Sequence, residues 1–325
     1  MITTSHRLDG LEPDNLLAFL ALLGLLRALE AADRELYPRA AWDLDAPPLR
    51  PRLFLAKAAT TDEVAALAAK GVEQLAQAHD FGSRKGLNYT REDARKLLTQ
   101  EARASSRDCR ERIDLLAALM SDGAVKNDKV ETIAPTPLCL MFGQGRQHFL
   151  ERIAAVPHVP APPPRGKGKK AVALSAAQCL AEALFAPWHR QDPTTSSFRW
   201  DPAEDVRYAL MAGDPTDDAY KGGTQHGANR LAAVGLAALT VVPEVRAGRA
   251  RPAIIGGTSG RDGFSFAIPI WRDPATLAAI RALLSHPDLR EPEGLSHLGV
   301  DHVLVAERIS VGKFMNFARG RPQHG

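Results

Sequence analysis

A long apolar segment near the start of the chain limits most strongly how this sequence can fold. The segment Leu16–Leu29 follows a helix start at Asn15 and places apolar side chains around almost its whole circumference. Such a helix must be surrounded by protein, so we predict that it lies at the centre of the fold. It is shorter than the ~20 apolar residues of a membrane span, and the preceding Glu12 and Asp14 argue against a signal peptide. We therefore expect a cytoplasmic protein without a membrane partner.

The chain has 325 residues, of which 45% are hydrophobic and 24% charged, and this composition is typical of globular proteins. At about 150 residues per domain, this length suggests two domains. The segment 157–172 is rich in proline, glycine and lysine and lacks apolar periodicity, so it is predicted to be a flexible basic loop. It separates an N-terminal helix-rich α+β region, 1–156, from a C-terminal α+β region, 173–325.

Periodicity and capping residues predict an α+β fold that is rich in helices, with a β-sheet mainly from the C-terminal third. The expected helices begin at Asn15, Thr61, Thr90, Ser175, His226 and Pro274. The expected strands are Ala41–Leu44, Arg52–Leu55, Ser196–Trp200, Ala253–Ile255, Phe264–Ile270 and Val303–Val311.

Sequence motifs give no support for a cofactor, a metal or a catalytic residue. The three cysteines Cys109, Cys139 and Cys179 are too widely spaced for a metal site, and their odd number argues against a disulfide framework. Nucleotide-binding and hydrolase motifs are also absent from the sequence.

An acidic cluster leaves open a metal-dependent nuclease or an RNA-processing enzyme, because several carboxylates can bind Mg²⁺. Its members are Asp201, Glu204, Asp205, Asp214, Asp217 and Asp218. A further alternative is a purely structural scaffold that contacts only other proteins, in which the basic loops bind no nucleic acid.

Charge is distributed unevenly along the chain. Lys plus Arg is 41 and Asp plus Glu is 38, which gives a net charge of only +3. Basic residues nevertheless concentrate at 84–112, 165–170 and 308–321. Acidic residues concentrate at 201–218 and offset this positive charge in the total. Clustered cations attract nucleic-acid phosphates whatever the base sequence.

Two glycine-containing loops, 83–89 and 221–230, combine basic and amide side chains. Lysine and arginine can contact phosphates or guanine, and asparagine and glutamine can read adenine. We expect these loops and the segment 165–170 to contact DNA or RNA. The candidate binding residues are Arg84, Lys85, Asn88, Arg165, Lys167, Lys169, Lys170, Lys221, Gln225, Asn229 and Arg230.

Three segments together resemble a known family. The segment Leu8–Arg27, with its G-x-x-P and L-G-L-L-R patterns, resembles the opening of CRISPR-associated proteins of the type I-G (formerly I-U) systems. The segment Phe198–Leu210, with Gly213–Pro215, and the segment Gly227–Ala233 are similar to another part of that group.

The resemblance implies a large-subunit-like component of a type I effector complex, Cascade, which serves antiviral defence. Such a subunit breaks no bond. It would read a short protospacer-adjacent motif in double-stranded target DNA, while guide RNA reads the remaining sequence. Its partners would be guide RNA, target DNA and other Cascade subunits. The chain departs from the family in one respect, because large subunits are often longer than this chain.

Overall fold

The computed structural model describes residues 2–106, 109–127, 131–140, 148–166, 168–204, 223–246, 248–260, 263–291, 293–311 and 314–323. Its α-helices are α1 (Leu16–Ala32), α2 (Thr61–Ala76), α3 (Arg91–Ala104), α4 (Glu111–Leu119), α5 (Phe149–His158), α6 (Ala176–Phe185), α7 (His226–Gly235) and α8 (Leu277–Ser285). The strands are β1 (Thr4–Arg7), β2 (Arg39–Trp42), β3 (Pro51–Leu55), β4 (Val125–Asn127), β5 (Thr132–Ile133), β6 (Val241–Arg246), β7 (Arg249–Ile254), β8 (Gly257–Gly260), β9 (Gly263–Trp271), β10 (Val300–Val311), β11 (Phe314–Phe317) and β12 (Arg321–Pro322). The predicted α+β class is confirmed.

Helix α1 is the central element, as its apolar circumference predicts. Asn15 is its N-cap, and the Asn15 side chain accepts hydrogen bonds from the amides of Leu17 and Ala18. Every residue from Leu16 to Leu26 is buried. Helices α2 and α7 pack against α1, and strand β9 also contacts it. The helix therefore has protein on all sides and needs no polar face.

The contact between α1 and α7 brings two helix backbones together. A Cβ atom added to Gly24 would lie 1.8 Å from the carbonyl oxygen of Leu231, and one added to Gly235 would lie 2.2 Å from that of Leu20. Only glycine fits at such distances, so these two positions set the separation of the helices. Through this contact, the segments Leu8–Arg27 and Gly227–Ala233 meet in the interior.

The strands form small antiparallel sheets. One has the order β1, β3, β2, and the largest has the order β11, β10, β9, β8, with β12 also pairing with β10. The pairs β4–β5 and β6–β7 each form a two-stranded sheet. The largest sheet comes from the C-terminal third, as predicted.

One hydrophobic core includes residues from both predicted regions, from Leu8 to Phe317. Helix α2 packs on α6, and α5 packs on α7, so contacts cross the segment 157–172 repeatedly. The division into 1–156 and 173–325 therefore does not correspond to separate cores. Within the segment, Arg165 and Val172 form two backbone hydrogen bonds of 2.9 and 2.8 Å, which close a loop.

The predicted strand Ser196–Trp200 is wrong. Thr194–Ser196 forms a 3₁₀ turn, and Arg199 has φ 66°, a left-handed conformation that no extended strand adopts. Phe198 and Trp200 stack on each other in this segment, with ring centroids 4.5 Å apart. The sequence also did not predict β1, a four-residue strand that pairs with β3.

Candidate nucleic-acid interface

A cleft of about 680 Å³ lies beside the first predicted binding loop, and we call it the 83–88 cleft. Ser83, Arg84, Lys85, Gly86, Leu87 and Asn88 form one side, and Thr132, Ile133, Pro135 and Cys139 form the other. Leu87 and Ile133 are buried, whereas Lys85 and Asn88 are exposed. The cleft therefore combines an apolar interior with a polar, basic edge.

Backbone hydrogen bonds hold this loop in place at both ends. The carbonyl oxygen of Lys85 accepts hydrogen bonds from the amides of Leu150, at 2.9 Å, and Glu151, at 3.3 Å. These amides belong to the first turn of α5 and have no acceptor within their own helix. At the other end, the carbonyl of Tyr89 accepts a hydrogen bond from Ile133 in β5 at 3.0 Å. The loop thus presents its side chains from an anchored backbone.

The two cations of the loop have different surroundings. The guanidinium carbon of Arg84 lies 4.0 Å from the centroid of the Tyr89 ring, a cation–π contact. The ammonium group of Lys85 lies 3.4 Å from Glu151, and the Lys85 side chain is 59% exposed. An exposed pair at this distance contributes little to stability, so Lys85 can exchange its carboxylate for a phosphate. The Asn88 amide makes no hydrogen bond within the described part of the chain.

Helix α3 extends the basic surface beyond the loop. It begins at Arg91, directly after the loop, and Ala94 is its only fully buried residue. The helix bears exposed Arg95, Lys96 and Arg103. Asp122 pairs with Arg95 at 2.7 Å, and Glu92 pairs with Lys96 at 2.6 Å. This helix is solvated, and Arg95, Lys96 and Arg103 line one cleft on its surface, so they can contact neighbouring phosphates.

The second predicted binding loop needs a correction. Gln225, Asn229 and Arg230 are 3%, 0% and 2% exposed, so their side chains cannot reach a base edge in this conformation. The Asn229 amide donates hydrogen bonds to the Thr224 hydroxyl at 2.8 Å and to the Gln225 carbonyl at 3.0 Å. Lys221 lies outside the described residues.

Arg230 has a structural role at the end of α5. Its guanidinium group donates hydrogen bonds of 3.0 Å to the carbonyl oxygens of Pro157 and Pro160. Burial lowers the pKa of Arg230 from its usual value. Arg230 therefore joins α7 to the chain that leaves α5, and we withdraw it as a nucleic-acid contact.

Arg165 also differs from its predicted role as a nucleic-acid contact in the flexible basic loop. Its guanidinium group donates to Asp192 and to Glu182, both at 2.8 Å. The Asp192 side chain is fully buried, and it also accepts a hydrogen bond from the His226 amide at 2.9 Å. Arg165 thus neutralises a buried carboxylate. Lys170 is exposed, Lys167 lies outside the described residues, and the Lys169 side chain is not among those described.

The acidic cluster is described only at Asp201 and Glu204, since Asp205, Asp214, Asp217 and Asp218 lie outside the described residues. Asp201 accepts hydrogen bonds from Asn15 at 3.0 Å and from Arg190 at 2.7 and 3.2 Å. These donors occupy both of its carboxylate oxygens. Within the described ranges, no group of three histidine, cysteine or acidic residues could hold a metal ion.

Glu204 is a buried carboxyl group between two hydroxyl groups. Ser197 and Thr224 donate hydrogen bonds to its two oxygens. Burial and, to a lesser extent, the nearby Asp201 carboxylate raise the pKa of Glu204 to about 7, although the hydrogen bonds from the two hydroxyls and the charge of Arg199 act in the opposite direction. This group connects the segment around Trp200 to the start of α7 and belongs to the interior.

Tyr89 and the opposite wall of the 83–88 cleft were not among the predicted site residues. Tyr89 supports Arg84, and Ile133 and Pro135 supply apolar surface from a segment more than forty residues later in the chain. The N-cap residue Thr90 could have indicated that the end of the loop is fixed by the helix that follows it. No local pattern identifies Ile133 or Pro135.

No family model, curated protein or solved structure matches the chain. Among the described residues, no helix has both the length and the apolarity to cross a membrane.

Proposed function

We propose that this protein is a non-catalytic, nucleic-acid-binding subunit of a type I CRISPR interference complex, acting in the cytoplasm beside guide RNA and other Cascade subunits. The observation that carries the nucleic-acid role is the 83–88 cleft, where two cations and an exposed amide surround an apolar interior. The resemblance of Leu8–Arg27 and Phe198–Leu210 supports the family. It does so through sequence patterns alone.

The cleft supplies both kinds of contact that DNA recognition requires. Lys85 is placed to bind a phosphate, and its anchored backbone lowers the entropy lost on binding. Asn88 carries the donor and acceptor that can read a base edge. Arg95, Lys96 and Arg103 on α3 would extend the phosphate contacts away from the cleft. We retain Arg84, Lys85 and Asn88 as candidate contacts with target DNA and with the protospacer-adjacent motif.

Fluorescence anisotropy with labelled double-stranded DNA tests this proposal. Lys85→Ala should weaken binding about three- to tenfold on all sequences and reduce the salt slope by about one. Lys57→Ala is the matched control, because Lys57 is also a partly exposed lysine paired with carboxylates, and it does not line the cleft. Asn88→Ala should instead change the preference among short flanking motifs.

Three outcomes would contradict the proposal. Equal losses from Lys85→Ala and Lys57→Ala would remove the cleft as the binding surface. Equal losses from Asn88→Ala on every motif would exclude base reading by Asn88. Cleavage of DNA or RNA in Mg²⁺ that a chelator abolishes would show an enzyme and would favour the acidic cluster.

A further inference from the structure

A second cleft, of about 560 Å³, lies at the C-terminal end of α1 and goes beyond the proposed function. Parts of six elements meet there: α1, the 3₁₀ turn Arg34–Leu36, the start of β2, the end of α2, the start of α4, and α8. Among the described residues, its lining includes five arginines and three carboxylates, and we call it the arginine cleft. The arginines are Arg27, Arg34, Arg39, Arg110 and Arg281, and the acids are Glu30, Glu111 and Asp114.

Arg27 is the most unusual of these residues because it lies on the otherwise apolar part of α1. Its side chain is only 11% exposed, and its Nε atom has no hydrogen-bond partner within the described ranges. Placing a cation there costs free energy unless an anion compensates it. Burial lowers the pKa of Arg27 even though the nearby carboxylates of Asp114 and Glu111 act in the opposite direction.

The nearest carboxylate compensates Arg27 only weakly. Asp114 lies 3.8 Å from the Arg27 guanidinium group, which is longer than a hydrogen bond. The other Asp114 oxygen accepts a hydrogen bond from Arg110 at 3.1 Å. Asp114 is therefore shared between two arginines. An anion that enters the cleft would find donors on Arg27 without having to displace an existing hydrogen bond.

The remaining lining supplies further positive charge and a flat apolar surface. Arg39 is exposed and forms no ion pair with another described residue, and Arg281 makes a long hydrogen bond of 3.4 Å to Thr240. Tyr37 is 65% exposed and has φ 42°, a conformation that is uncommon for a bulky residue. An exposed ring at the edge of a basic cleft is suited to stacking with a base.

We propose that the arginine cleft binds the phosphate monoester of a nucleotide, either free or at the 5′ end of a nucleic-acid strand. A phosphate monoester carries up to two negative charges and three terminal oxygens, so it can bond several arginines at once. The volume fits one nucleotide, because small-molecule sites usually measure about 300–1,000 Å³. Arg27 would bind the phosphate, Arg39 and Arg281 would neutralise it from the sides, and Tyr37 would stack on the base.

The test compares ten-nucleotide oligothymidylates that carry a 3′ fluorophore and either a 5′ phosphate or a 5′ hydroxyl group. The full-length protein should bind the phosphorylated strand at least fivefold more tightly, and Arg27→Met should abolish this preference. AMP is then titrated as a competitor, to distinguish a free nucleotide from the 5′ end of a strand as the source of the phosphate. AMP that binds at least as tightly as the strand and depends on Arg27 would assign the site to free nucleotides.

Two further variants keep the result interpretable if Arg27→Met does not fold. Arg39→Ala changes an exposed residue at the edge of the cleft and should reduce the phosphate preference about threefold with an unchanged circular dichroism spectrum. Arg251→Ala, an exposed arginine on β7 outside the cleft, should leave the preference unchanged. Equal binding of the phosphorylated and hydroxyl strands, with no binding of AMP, would overturn the proposal. Neither result depends on duplex DNA binding by the 83–88 cleft.

Discussion

Asn15 Nδ2 donates a hydrogen bond of 3.0 Å to Asp201 Oδ1, which joins residues 186 positions apart in the chain. The Asn15 oxygen meanwhile caps α1 by accepting from the amides of Leu17 and Ala18. One buried side chain therefore both starts the central helix and fixes the segment around Trp200 to it. The amide of Leu17 also donates to the Trp200 carbonyl at 3.2 Å.

Asn15→Ala should destabilise the protein by about 2–4 kcal/mol, because it removes a helix cap and leaves a buried carboxylate with one donor fewer. Urea unfolding measures this change. Thr60→Ala is the matched control, since Thr60 caps α2 at an exposed position and should cost only about 1 kcal/mol. Similar losses for the two variants would show that the contact between Asn15 and Asp201 adds nothing beyond capping.

Gly24→Ala should lower the melting temperature by several degrees, because the new methyl group would lie 1.8 Å from the Leu231 carbonyl oxygen. Helices α1 and α7 would have to separate, and overpacking of this kind costs about 1–3 kcal/mol or more. Gly260→Ala provides a control at a position where the added methyl group would make only an ordinary van der Waals contact, 4.0 Å from the Gly263 carbonyl oxygen. Thermal melting followed by circular dichroism compares them, and an unchanged melting temperature for Gly24→Ala would contradict the close helix contact.

Arg165→Ala should destabilise the protein by about 2–3 kcal/mol, because it leaves the buried Asp192 carboxylate without its cation. The salt dependence of DNA binding should not change. Lys170→Ala, at an exposed position in the same segment, should alter stability by less than about 0.5 kcal/mol. A reduced salt slope for Arg165→Ala, with unchanged stability, would restore its role as a phosphate contact.

Glu204 should make stability decrease as the pH rises. Its pKa is about 7 in the folded protein, above the usual 4.5, so the folded state binds more protons than the unfolded state between these values. The contribution of protonated Glu204 is complete below pH 4.5 and is lost as the pH rises through 7. Its full size is on the order of 3 kcal/mol.

Glu204→Gln tests this dependence, because glutamine keeps the shape and stays neutral. The free energy of unfolding of the variant, relative to the unmodified protein, should increase by about 2–3 kcal/mol between pH 5 and pH 8. Urea unfolding at both pH values gives this difference. A constant difference across the range would show that Glu204 titrates at its ordinary pKa.

Local signals allowed much of the secondary structure to be predicted. The predicted helix from Ser175 to Phe185 is confirmed as α6, because Ser175 and Gln178 form a capping box that the sequence alone displays. The strand Phe264–Ile270 is likewise confirmed within β9, since its apolar residues fill a buried strand. Caps and periodicity act over a few residues, so a single sequence contains them.

The candidate site was predicted only in part, because the same side chains suit a buried network and a base edge. Asn229 and Asn88 carry identical amides, but Asn229 is enclosed by Thr224 and Phe198, whereas Asn88 is exposed. Burial of Asn229 depends on how α7 packs on α1 and α6. That information lies in contacts between distant segments, which the local pattern around residue 229 does not contain.

The close contact between Gly24 and Leu231 also affects how the chain folds during its synthesis. At 5–20 residues per second, a ribosome needs about 10–40 s to synthesise the chain between these two positions. During that interval the Leu16–Leu29 helix has no α7 to cover it, and its leucines are exposed to other nascent chains. Chaperones that hold apolar segments should therefore associate with the N-terminal part of this chain until α7 has emerged.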